Sequence, residues 1–158
     1  MNHRLSPELS SSLSTFAHRK LEAGELCLLA QAIASTIPLA PAGTENISLF
    51  TLTHRRFVDS VIFALNDFSY VDEASHKHIH RLVDGFSLWR YRVAHDPVAI
   101  CFTGEPDTVI DDISALPRFI DKADLCGVAD IAVKANHTHT LMRELCAYVW
   151  TQCQSDAQ

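Results

Sequence analysis

Apolar residues recur at helical spacing between Thr53 and Phe68. Phe57, Val58, Val61, Ile62, Leu65 and Phe68 make one stripe, and Arg55, Arg56, Asp59 and Asp67 fall mostly outside it. The Thr53 hydroxyl can accept a free amide of the first turn, so the pattern predicts a helix over 53–68. Phe63 lies off the stripe. That implies apolar neighbours on two sides and marks this helix as the expected centre of the core.

The same reading predicts helices on either side. Ser6-Pro7-Glu8 supplies a capping serine, a proline at the first helical position and an acid in the first turn. Leu9, Leu13 and Phe16 follow as a narrow stripe, weakened by Ser10, Ser11 and Ser12, and predict a short helix to about His18. Leu26, Leu29, Ala30, Ile33 and Ile37 share a face over Glu22–Ile37, where Pro38 ends the helix. Together these two read as an N-terminal helical hairpin within residues 1–37, joined to the rest by a loop over 38–46. Asp72 is expected to cap a further helix to about Asp84, with Ile79, Leu82, Val83 and Phe86 inward and Gly85 as its stop. Glu73 and Lys77 sit at ion-pair spacing on it.

Two stretches alternate instead. Trp89-Arg90-Tyr91-Arg92-Val93 and Val98-Ala99-Ile100-Cys101-Phe102-Thr103 flank Ala94–Pro97 and predict a β-hairpin. A lone hairpin is marginal in water, so Ile47–Leu52 or Asp130–Lys134 is expected to join it, or helices to cover it. Gly104–Asp107 reads as a turn. Short helices are expected around Val109–Ile113 and after Pro117, the second ending at Gly127. From Val128 two readings stay open: one long helix, or a strand over Asp130–Lys134 and a helix starting near Asn136. A last helix through Leu141, Met142, Leu145, Val149 and Cys153 stands in both. The expected fold is α+β: one helix-rich domain over 1–158, with a small antiparallel sheet built on the hairpin at about 88–103. The alternative is a mostly α bundle with one hairpin.

Composition supports a packed domain. The 158 residues are enough to bury a sizeable core, 47% are hydrophobic, and only five are glycine, which favours helix over tight turns. The net charge of −6 excludes a general nucleic-acid binder and suits a basic protein partner. The first residues lack an apolar leader, and no run is apolar enough to span a bilayer, so a cytoplasmic protein without membrane association is expected. The five cysteines (27, 101, 126, 146, 153) form no C-x-x-C pair. They read as reduced thiols and argue against a zinc knuckle or a thioredoxin-like redox site.

Candidate chemistry centres on histidine. In His76-Lys77-His78-Ile79-His80, a helix brings only His76 and His80 to one face, at the i, i+4 spacing that can clamp a metal ion. The bland alternative is a solvated face with a His80–Asp84 ion pair. His137 and His139 precede or begin the last helix, where the positive dipole end favours a neutral imidazole suited to metal. Cys126 could complete a mixed site. A second cluster, Trp89, Arg90, Arg92 and His95, offers aromatic and forked cationic groups to an acidic partner or a phosphate; an ordinary half-buried strand is its alternative. No nucleotide-binding, zinc-protease or serine-hydrolase motif occurs, which leans away from an enzyme. The expected function is therefore a small soluble intracellular binding or regulatory module acting through a protein partner, of adaptor, inhibitor, immunity or chaperone type, with no cofactor. The alternative is a His/Cys sensor or enzyme holding a transition metal or haem.

Overall fold

The computed structural model describes residues 5–95 and 136–156. Five α-helices follow one another in them: α1 (Pro7–Leu13), α2 (Ala23–Thr36), α3 (Leu52–Leu65), α4 (Glu73–His95) and α5 (Asn136–Asp156). Helix α2 packs against both α4 and α5, α3 lies against α5 and α4, and α1 lies against α5.

The centre of this bundle is α2, where the apolar stripe had pointed to α3. Leu26, Cys27, Leu28, Leu29, Ala30, Ala32, Ile33 and Ala34 are all buried, so α2 is covered on nearly every side. A helix that is apolar all round belongs inside, whereas a clean stripe marks a helix with one face in water. Helix α3 is of the second kind: Phe57, Val58, Val61, Ile62 and Leu65 are buried, while Phe63 stays 74% exposed. The Phe57 ring meets Trp150 of α5 edge-on at 5.0 Å, tying α3 to the last helix.

The α+β expectation is overturned, because no strand occurs among the described residues. The proposed first hairpin arm, Trp89–Val93, is the C-terminal part of α4, and the second arm, Val98–Thr103, lies outside the described residues. Gly85 does not stop α4 but sits buried in its interior. The alternation of Trp89–Val93 misleads because consecutive residues there answer to different neighbours around a helix. Arg90 turns in to the carbonyls of Ala34 and Ile37, closing the end of α2. The buried Tyr91 accepts the Gly43 amide on its hydroxyl at 2.6 Å. Arg92 pairs with Glu45 at 3.2 Å. Ile47–Leu52 is no strand either: Ile47 is 86% exposed and Leu52 is the first residue of α3. The helical content of the alternative fold agrees with the structure, without its hairpin.

The other contacts set the chain path. The 3-10 turn Ser14–Phe16 ends in Ala17 and His18, both with φ near +55°, and this left-handed pair reverses the chain. A single β-bridge then joins Lys20 to Tyr70, with the Tyr70 amide donating to Arg19 at 3.0 Å. Arg19 grips Glu25 with two bonds of 2.7 and 2.8 Å, and Glu25 accepts the Glu22 amide to box the start of α2. Burial works against ionisation of Glu25, yet Arg19 and the amide outweigh it and hold the carboxyl below its ordinary value. The second hairpin arm, the turn at Gly104–Asp107, the short helices before Gly127 and the alternative strand over Asp130–Lys134 lie outside the described residues. No described helix is long and apolar enough to cross a membrane.

Candidate metal centre

Two helix caps fix the elements that carry the site. The Thr51 hydroxyl accepts the His54 amide at 3.3 Å and starts α3, two residues before the expected cap. Asp72 accepts the Ser75 amide at 2.7 Å and receives Lys20 at 2.8 Å, which sets the first turn of α4. Ile79, Leu82, Val83 and Phe86 bury the inner face of α4. Its rotation is thereby set, and His76 and His80 are left towards the edge of α3.

There they meet Asp59. The Nε2 atoms of His76 and His80 lie 2.8 and 2.7 Å from the same carboxylate oxygen, Oδ1. The two imidazoles stack at 5.1 Å and are inclined by 16°, as expected for side chains one helical turn apart. One ligand atom from each residue falls within 4.8 Å of the others. Partial burial works against the Asp59 charge, but the bonds from His76 and His80 prevail and hold its carboxyl below the ordinary value. Asp59 is thus an anion held between two imidazoles.

The donor set suits a borderline transition metal. Imidazole nitrogen with one carboxylate is a common combination for zinc and its neighbours. Tetrahedral ligands about 2.0–2.1 Å from zinc lie about 3.4 Å apart, so the Asp59 oxygen has to withdraw by about half an ångström to admit an ion. Asp59 is 54% exposed and free to move outward, while His80 is 19% exposed and more firmly placed. Three protein ligands leave a fourth position for water or a further ligand. Next along α4, Asp84 takes Arg55 of α3 at 3.1 Å. Burial raises the Asp84 pKa, partly opposed by Arg55 and His80. Arg55 thus occupies the carboxylate for which the sequence had suggested His80 as partner.

The other predicted ligands are elsewhere. His139 is half-buried on α5 and is not part of the Asp59–His76–His80 group; burial and the nearby Arg143 lower its pKa. The His137 side chain and Cys126 lie outside the described residues. Of the proposed partner-binding set, Arg90 is turned inward, Arg92 is paired with Glu45, and His95 bonds the Ala40 carbonyl at 2.9 Å. The Trp89 side chain lies outside the described residues. Cys27 and Cys146 are buried, and burial raises the Cys146 pKa, which keeps that thiol protonated. Sequence reasoning missed Asp59. The available signal was its polar position beside the apolar stripe of α3, and nothing local connects that position to a histidine pair on another helix.

Comparison of the chain with protein-family models, curated proteins and solved structures finds no match.

Proposed function

We propose that this protein binds a divalent transition-metal ion, of the zinc, cobalt or nickel type, at Asp59, His76 and His80. The observation that carries the reading is the convergence of both Nε2 atoms on one carboxylate oxygen at 2.8 and 2.7 Å, from two separate helices. Bound metal would join α3 to α4 in the same way that the shared hydrogen bonds do, so metal loading would couple to bundle stability. The open fourth position suits a sensor or a Lewis-acid site.

Isothermal titration of the untagged protein with zinc tests this. One saturable equivalent is expected, with affinity falling by more than about tenfold in His76→Ala and in His80→Ala, since lost outer-shell partners alone cost 10–100-fold. Absence of saturable uptake, or uptake indifferent to both changes, would leave the cluster a surface ion pair.

A protein partner is the second reading, favoured by the outer face of α3. Leu52 and Phe63 are 66% and 74% exposed there. Lying three turns apart, they share that face with Arg56 and Asp59, a pattern suited to a helix lying in a partner's groove. The reading expects a stoichiometric complex that Phe63→Glu dissociates.

A further inference from the structure

The outer face of α3 reads the same in both directions. Leu52, Arg56, Asp59 and Phe63 are all exposed. At about 100° per residue they fall within about 60° of the helix circumference, in one narrow seam. Along that seam the order is apolar, cationic, anionic, apolar. Leu52 and Phe63 are equally far from the level between Phe57 and Val58, and so are Arg56 and Asp59. Such a helix is complementary to a copy of itself laid antiparallel. Leu52 of each copy then meets Phe63 of the other, and Arg56 of each meets Asp59 of the other. Laid parallel and in register, Arg56 would face Arg56 and Asp59 would face Asp59, which like-charge repulsion disfavours.

The side chains of the seam are available for this pairing. Neighbouring Arg55 is taken by Asp84 at 3.1 Å and lies over the Phe50 ring, whereas Arg56 has no carboxylate partner among the described residues. Asp59 meets His76 and His80 through Oδ1 alone, which leaves Oδ2 outside those bonds. Leu52 and Phe63 rank among the most exposed large apolar side chains, at 66% and 74%. The buried core of the bundle contains neither of them. Two large apolar side chains from each copy suit a small, reversible interface rather than an obligate one.

We propose that the partner for this face is a second copy of the chain, docked antiparallel along α3 about a two-fold axis level with Phe57 and Val58. Two apolar contacts, Leu52 to Phe63, flank two ion pairs, Arg56 to Asp59, with a guanidinium fork on each carboxylate. The proposal rests on the partner reading of this face and does not depend on metal.

The test is sedimentation of the full chain in EDTA, from about 1 µM to about 1 mM, the span in which weak complexes form. A monomer is expected at the dilute end and a dimer at the concentrated end. Arg56→Glu and Phe63→Glu are each expected to weaken the dimer by more than about tenfold, because two-fold symmetry applies every change twice. Circular dichroism at the dilute end is expected to show unchanged helix content in both variants, since neither residue is buried. With p-benzoylphenylalanine in place of Phe63, irradiation of mixed 14N and 15N chains is expected to join position 63 of one copy to the neighbourhood of Leu52 of the other. A monomer at every concentration would overturn the second copy, even if a different polypeptide binds this face and upholds the broader partner reading. A dimer indifferent to both substitutions would overturn this face as the interface. Crosslinks from position 63 to the neighbourhood of Phe63 in the other copy would overturn the antiparallel arrangement.

Discussion

The imidazole of His80 places Nε2 2.7 Å from Oδ1 of Asp59, across the gap between α4 and α3. His76, one turn earlier, reaches the same oxygen. The folded pKa of Asp59 is depressed, so its contribution to stability is fully present above the ordinary carboxylate range and is lost as pH falls through the lowered value. Asp59→Asn is therefore expected to lower the thermal midpoint above the ordinary carboxylate range, with the gap to wild type closing as pH falls through the lowered value. Thermal scans across that range check it. A gap that persists unchanged at low pH would show that the carboxylate charge is irrelevant.

Asp72 provides a second titration of the same sign. Hydrogen bonding from Lys20, then from Ser75, holds its carboxyl at about 2. Its stabilising contribution at the start of α4 is complete above the ordinary aspartate value and disappears as pH falls through about 2. Lys20→Met is expected to return the carboxyl carbon titration of Asp72 part of the way upward. The remainder belongs to the helix cap.

Replacing Arg90 by Met is expected to destabilise the protein by about 2 kcal/mol in urea unfolding. Carbonyl acceptors near the end of α2 lose a charged donor, and hydrogen bonds to charged groups are worth about 1.5–3 kcal/mol. On a strand with Arg90 facing water, the same change would be nearly silent.

The core assignment makes a contrast between two helices. Leu29 of α2 is fully buried, and Leu29→Ala is expected to cost about 3 kcal/mol through lost contact and the cavity left behind. Phe63→Ala on α3 is expected to change stability by less than about 0.5 kcal/mol, because that ring is 74% exposed. Equal losses would return α3 to the centre.

Local signals carried a good part of this fold. Ser6 caps α1 by accepting the Leu9 amide at 3.2 Å, Asp72 caps α4, and Lys77 pairs with Glu73 at 3.6 Å, each through residues three or four apart. What failed depended on distant partners. The strand reading of Trp89–Val93 counted alternation without knowing that Arg90 would meet Ala34 and Ile37 on α2. Helix α2 was under-weighted because a helix apolar on every side shows little periodicity. The site was legible by halves: the His76–His80 pair follows from spacing on one helix, whereas Asp59 joins it only through the packing of α3 beside α4.

The most direct measurement is a long-range proton–nitrogen NMR spectrum of the imidazoles, recorded without metal and with one equivalent of zinc. Zinc is expected to move the Nε2 resonances of His76 and His80 together to metal-bound positions, in slow exchange, while the other assigned histidines stay in place. Asp59→Ala is expected to turn this into weak, fast exchange. Unmoved Nε2 resonances of His76 and His80, or zinc appearing first on another histidine, would contradict the assignment of this cluster as a metal centre.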